Sequence, residues 1–217
     1  MDLTAALRTT GSAREFADQV IDDATVAAIL DDARFAPSGG NRQPWRVVVV
    51  KDAAIRRRLA DLMTTVWQEY LGEGTGPESA PFAFGRSTGA PPIAAPNELL
   101  DNIEQVPVVL AVAANLNKIA LMDGDVAGRP PITGGASIYP FAWSVLLSAR
   151  DRGLGGVMTT FLSRAETEAA PILGLPDGHA LVATIFLGRP LHQNTKLRRE
   201  PVSEFATIDR FDGEPLR

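Results

Sequence analysis

Apolar residues recur at helical spacing over Val26, Ile29, Leu30 and Ala33, which predicts a helix that Asp22 or Asp23 caps. The run Arg46 to Val50 is β-branched and continuous, so it predicts a buried strand. From Asp52 the positions Ile55, Leu59, Leu62, Met63, Val66 and Tyr70 return to helical spacing. Val106 to Ala114 predicts a second buried strand, with Pro107 tolerable near a strand end or edge. Gly134 to Ser137 opens a third helical pattern, which runs through Phe141, Val145 and Leu146 to Arg150 and ends at Gly153. Ala165 to Leu173 predicts a short helix stopped by Gly174 and Pro176, and Leu181 to Leu187 predicts a third strand.

The periodicity fails in two places. Across residues 72–97, Gly and Pro supply ten of 26 positions, and Phe82, Phe84 and Ile93 show no period. A loop of that length in a compact domain is usually a lid or a binding loop, and 72–97 is expected to be lid-like. The tail 195–217 has little helical patterning and is expected to be extended and ordered by packing on a partner subunit. No repeat or composition break divides the chain, so residues 1–217 are expected to form one domain.

Composition narrows the classes. At 217 residues and 45% hydrophobic content the chain can bury a sizeable core. A net charge of -5 argues against a general binder of nucleic acid or anionic membranes. The Arg56-Arg57-Arg58 triplet, with Asp52 and Asp61 nearby, reads as a solvated helix face. With no cysteine there is no disulfide, thiol nucleophile or thiolate metal site. The beginning Met1-Asp-Leu-Thr-Ala lacks the features of a signal peptide, and the most apolar run is nine residues. A membrane helix needs about 20. The expectation is a soluble cytoplasmic protein without metal, since His179 and His192 lie 13 residues apart beside turn residues. There is no P-loop, no G-x-S-x-G, and no G-x-G-x-x-G among Gly72, Gly74 and Gly76.

Four segments carry candidate chemistry. Gly11-Ser12-Ala13-Arg14 sets a hydroxyl two residues from a guanidinium, a pairing suited to phosphate, although alone it reads as a Ser helix cap with a surface Arg. Ala36 to Trp45 (APSGGNRQPW) places Ser38, Asn41 and Gln43 on a loop softened by Gly39 and Gly40. Gly153 to Thr160 (GLGGVMTT) either lays backbone along a flat ligand or is a helix cap leading into a strand. Lys196, Arg198 and Arg199 follow the last strand as three cations, or as a loose basic tail.

In this order and spacing the four segments resemble the FMN-dependent nitroreductase family over nearly the whole chain. Gly11 to Phe16 partly matches the family's R-R-S-x-R-x-F, and Ala36 to Trp45 closely matches A-P-S-x-x-N-x-Q-P-W. Ser148 to Gly155 resembles A-A-R-x-x-G-L-G, and Leu187-Gly188-Arg189-Pro190 matches L-G-x-P. The resemblance implies an α+β fold, a mixed central sheet flanked by helices, in a homodimer with flavin at the interface. It implies that Gly11, Ser12 and Arg14 hold the FMN phosphate and part of the ring, and that Lys196 with Arg198 or Arg199 completes the phosphate site. It places Pro37, Ser38, Gly39, Asn41 and Gln43 on a loop reaching the flavin from the other subunit. Met158, Thr159 and Thr160 would pass the reactive edge of the ring, with a backbone N–H on N5, and Ser137 would touch the pyrimidine side. The chain departs from the pattern at Thr10 and Gly11, where two basic residues are usual; Arg8 is a candidate replacement.

A flavin carries hydride chemistry itself, which suits a chain with two histidines and no cysteine. The resemblance implies ping-pong passage of hydride from NADPH or NADH through flavin N5 to a nitroaromatic or quinone, with no catalytic side chain in the protein. Phe82 and Phe84 are expected to stack on the acceptor from the 72–97 lid. Competing expectations are a flavin enzyme of the same fold with dehalogenase, azole-forming dehydrogenase or flavin-cleaving chemistry, and a flavin-binding protein without turnover.

Overall fold

In this computed structural model residues 1–76 and 79–217 are described, Phe84 by its backbone alone. Strands β1 (Trp45–Val49), β2 (Val108–Asn115), β3 (Gly155–Thr159) and β4 (His179–Gly188) form one sheet in the order β1-β2-β4-β3, with every neighbour antiparallel. The parallel component of the expected mixed sheet is a bridge between Ser12 and Gly156 on the outer edge of β3. Among the described residues seven α-helices accompany the sheet: α1 (Leu3–Thr9), α2 (Asp23–Ala33), α3 (Ala53–Gly72), α4 (Glu98–Asp101), α5 (Tyr139–Asp151), α6 (Phe161–Arg164) and α7 (Glu166–Leu173).

The continuous apolar pattern of β2 has a simple cause: the strand is covered on both sides. Leu110, Val112 and Ala114 pack with Ile29 of α2 and Val145 of α5 on one face. Val109, Ala111 and Ala113 pack with Leu59 and Met63 of α3 on the other. Phe186 and Ile185 of β4 join opposite faces in the same way and are fully buried. Each such side chain contributes about 1.5–3 kcal/mol of burial.

Local signals set the helix ends. Asp22 caps α2 by accepting from the Thr25 amide at 2.7 Å, and Asp52 caps α3 through the Ile55 amide at 2.8 Å. The residues following α5 and α7 turn into the left-handed region at Gly153 (φ 75°) and Gly174 (φ 63°).

Three expectations change. The Arg46–Val50 run is not buried on both faces, because β1 is an edge strand paired only with β2; Val48 and Val49 are each 38% exposed. A continuous β-branched run does not by itself distinguish an edge from a centre. Arg56 is not on a solvated face: it is buried, donating to the carbonyls of Val50 at 2.8 Å, Val106 at 2.6 Å and Glu104 at 3.2 Å. Its neighbour Arg57 reaches the Leu100 carbonyl at 3.0 Å, and Arg58 alone of the three is exposed. The tail is not extended throughout, since Ile208 to Glu214 and Leu216 to Ala206 backbone bonds of 2.9 Å close its end into a turn. Phe205 and Phe211 on that tail stand in solvent.

Candidate flavin site along the β3 edge

β3 is the other edge of the sheet, and three distant segments meet there. The Ala13 amide donates to the Gly156 carbonyl at 2.9 Å, which lays residues 11–14 along the strand. The Leu191 amide donates to Glu15 at 3.0 Å, and Gln193 Nε2 donates to the Gly11 carbonyl at 2.8 Å. Residues 193–197 therefore run against residues 11–15. The approach is so close that a Cβ on Gly11 would lie 2.5 Å from the Asn194 carbonyl oxygen and 2.9 Å from Leu197. This explains the departure at Gly11 from the basic residue of the related pattern: the C-terminal strap occupies the space a side chain would need.

The junction is rich in unpaired cations. Ser12 and Arg14 are exposed, as are Lys196, Arg198 and Arg199, and none of these four cations forms an ion pair among the described residues. Arg14 opens onto a polar groove of about 280 Å³ shared with Glu98, Asn102, Gln105 and Leu191. Asn102 and Gln105 were not singled out from the sequence. Their signal was faint, two amide side chains three residues apart just before a buried strand.

The amides of β3 alternate. Because Gly156 turns its carbonyl to the outer edge, Met158 turns its own amide to the same edge, and Thr159 turns inward to Thr184 of β4. The Thr159 hydroxyl is buried without a hydrogen-bond partner. Of the three residues expected at a ring edge, Met158 offers an edge amide, and Thr160, beyond the strand, donates no backbone hydrogen bond among the described residues.

The second group lies elsewhere. The Gly39 amide donates to the Ser137 hydroxyl at 3.0 Å, so Ser137 belongs with the 37–43 loop. Ser38 accepts from the Gln43 amide at 3.0 Å, and Gln43 Nε2 donates to Asn41 at 3.1 Å. Asn41 (φ 52°) and Gln43 (φ 47°) both adopt left-handed backbone, which is rare for residues with a Cβ and marks functional loops. Pro37 leads into this loop, and Trp45 closes it by stacking on Phe141 at 4.9 Å. No hydrogen bond or strand pairing joins the 37–43 loop to residues 11–14, 158–160 or 196–199 among the described residues.

The lid-like segment is anchored at one carboxylate. Glu73 accepts from the amides of Phe82 and Thr88 at 2.9 Å each and from the Ser87 hydroxyl. The Ser87 bond, followed by the Phe82 amide, holds the Glu73 carboxyl below the usual carboxylate range. The Phe82 ring is half-buried and lies 4.0 Å from the Arg164 guanidinium. The Phe84 side chain lies outside the described residues.

The model of the nitroreductase family matches residues 7–189, and the chain belongs to that family. Its members are flavin-dependent oxidoreductases, and that is the class of this chain. A 5,6-dimethylbenzimidazole synthase of Rhodospirillum rubrum is 31% identical over 183 residues, covering 83% of this chain and 78% of that protein. An NADH dehydrogenase of Thermus thermophilus is 26% identical, covering 92% and 91% of the two chains. The NADPH:FMN oxidoreductase from Vibrio harveyi, solved with NAD⁺, superposes with a TM-score of 0.68 at 20% identity over 96% of this chain and 77% of that one. The likeness confirms the nitroreductase-like fold. No helix among the described residues is long and apolar enough to cross a membrane.

Proposed function

We propose that the chain is an FMN-dependent oxidoreductase that takes hydride from NADH or NADPH and delivers it to an electron-poor acceptor such as a quinone or nitroaromatic. The observation that carries this reading is the junction at the β3 edge, where the segments bearing Ser12, Arg14 and Lys196 run side by side along a strand whose Met158 amide is open to the same edge. Arg14, Lys196, Arg198 and Ser12 suit a phosphate monoester through charge-assisted hydrogen bonds. Met158 lies two residues along β3 from the Ser12 bridge, about 7 Å, so a nucleotide can lie lengthwise along the strand.

FMN, when bound, supplies hydride acceptance and donation at N5. The protein positions it. Arg14 would be the cationic donor toward the ring, in a groove it shares with the carboxylates Glu15 and Glu98 and the amides Asn102 and Gln105. The edge amide of Met158 and the amide of Thr160 just beyond the strand would serve as donors toward N5. The 37–43 loop and Ser137 supply a second wall from another copy of the chain, since neither bonds to the first group. The exposed Phe205 and Phe211 of the tail pack on that partner. The test is steady-state oxidation of NADH and NADPH driven by a quinone: parallel double-reciprocal lines are expected, and acceptor-independent rates with either nicotinamide would sink the reading.

A second reading follows from the relatives named 5,6-dimethylbenzimidazole synthase, one 31% and one 29% identical. Mass detection of that compound after incubation with FMN and a nicotinamide would favour it.

A further inference from the structure

Asp123 is the only buried carboxylate among the described residues, and the loop around it has little apolar packing of its own. Its neighbour Met122 is 79% exposed and Ile132 is 72% exposed, so burial does not set the shape of this loop. The carboxylate does. One oxygen accepts from the Thr133 hydroxyl at 2.5 Å and from the Thr133 amide at 3.2 Å. The other accepts from Arg129 Nη1 at 2.5 Å and from the Ile132 amide at 2.9 Å. A buried charge is costly unless it is paired and hydrogen-bonded, and here both oxygens are filled. These bonds, that of the Thr133 hydroxyl first, hold the Asp123 carboxyl well below the usual carboxylate range.

Thr133 is also the first residue of a 3₁₀ turn that ends at Ser137. The residue before the turn, Ile132, supplies no side-chain cap. Asp123 reaches across the loop instead and satisfies the Ile132 and Thr133 amides at the start of the turn. At the other end the Ser137 hydroxyl accepts from the Gly39 amide at 3.0 Å, where the loop with left-handed Asn41 and Gln43 begins. A continuous path therefore runs from Asp123 through Thr133 and one short turn to Ser137 and Gly39. Leu121 packs the loop onto the turn: a Cβ on Gly124 or Gly134 would lie 3.2 or 3.3 Å from its methyl carbons.

We propose that Asp123 is a positioning residue for the second wall of the flavin site. By fixing Thr133 it sets the start of the turn, and the turn sets the Ser137 hydroxyl against Gly39. What that wall faces rests on the flavin oxidoreductase reading. An asparagine cannot replace Asp123, because its amide nitrogen would turn a donor toward donors that the carboxylate now satisfies.

The test uses the full chain without flavin, unaltered and as Thr133→Val and Thr133→Ser. The first variant removes the hydroxyl that Asp123 holds, and the second keeps it. Hydrogen–deuterium exchange at the Gly39 amide follows the path directly, whether or not a flavin binds. Thr133→Val should accelerate it about fivefold to tenfold, and Thr133→Ser should stay within about twofold of the unaltered protein. Titration with FMN measures the consequence. Thr133→Val should raise the FMN Kd about fivefold to tenfold, and should add nothing in a Ser137→Ala background, since both changes act through one hydroxyl. Unchanged Gly39 exchange in Thr133→Val, or independent effects of the two substitutions on Kd, overturns the assignment. If Thr133→Val does not fold, Arg129→Gln at the exposed side of the carboxylate decides: a smaller acceleration at Gly39 supports the path, and none overturns it. Failure of the flavin reading has a separate signature, an unaltered protein that takes up no FMN while Gly39 exchange still responds to Thr133→Val.

Discussion

At the foot of α3 the Arg56 guanidinium is buried among backbone carbonyls, with bonds of 2.6 to 3.2 Å to Val106, Val50 and Glu104. At the β3 edge Arg14 is exposed and makes no ion pair among the described residues. Burial lowers the Arg56 pKa, and the charge of Glu104 partly offsets the shift. The surroundings of Arg56 leave nothing for a ligand to satisfy, whereas those of Arg14 leave nearly all its donors open. A run of three arginines therefore marks an internal clamp here, and a single arginine near the N-terminus marks the candidate binding site.

The largest expected effect is on the clamp. Arg56→Ala should destabilise the fold by about 3 kcal/mol, since it strands several buried carbonyls and opens a cavity. Urea unfolding would show it as a lower midpoint. If the loss is below about 1 kcal/mol, the clamp is not structural.

Arg14→Ala should invert that pattern. The flavin-free protein should change by no more than about 0.5 kcal/mol, while FMN affinity falls about tenfold to a hundredfold through loss of a charge-assisted contact. Equilibrium dialysis against FMN separates the two effects. Gly11→Ala sits between them, because its Cβ would meet the Asn194 carbonyl oxygen at 2.5 Å and displace the strap bearing Lys196 and Arg198. A cost of about 1–3 kcal/mol in thermal stability is expected, together with weaker FMN binding.

Which parts of this were legible in the sequence depended on whether a local signal existed. Asp22 and Asp52 announced their helices, and the covered strands β2 and β4 showed as unbroken apolar runs. The edge position of β1 did not show, because pairing on one side leaves no mark on a Val-rich run. Nor did the seven-residue α1, whose Leu3, Ala6 and Leu7 keep helical spacing over too short a stretch to read and of which only Ala6 is buried. At the site, Ser12, Arg14, Lys196 and the 36–45 loop were found through motif order. The split of Ser137 away from Ser12, the inward turn of Thr159, and the parking of Phe82 on Arg164 arise from tertiary placement, which spacing does not encode.

Smaller effects sharpen the contrast between the rigid junction and the loops. Gln43→Gly removes a left-handed non-glycine residue and should leave stability unchanged or raised by up to about 1 kcal/mol, with the Asn41 bond lost in exchange. A clear loss of stability would show that the loop is held by side chains rather than tolerated against strain. The Glu73 anchor titrates. Its folded pKa lies below the usual carboxylate value, so its contribution is present above the unfolded pKa and disappears as pH falls through the folded one. Proteolysis within residues 79–90 should accelerate only in acid, and a rate that does not vary with pH there would show that Glu73 is not the anchor.

The account rests on a flavin held at the β3 edge and reduced there. Anaerobic titration of the purified protein with NADH and with NADPH, followed by visible absorption, tests this most directly. The predicted result is one FMN per chain, its visible band bleached by at least one nicotinamide, and an Arg14→Ala protein that is depleted of flavin yet folded. A colourless protein that takes up no added FMN, or a bound flavin that neither nicotinamide bleaches, would contradict it.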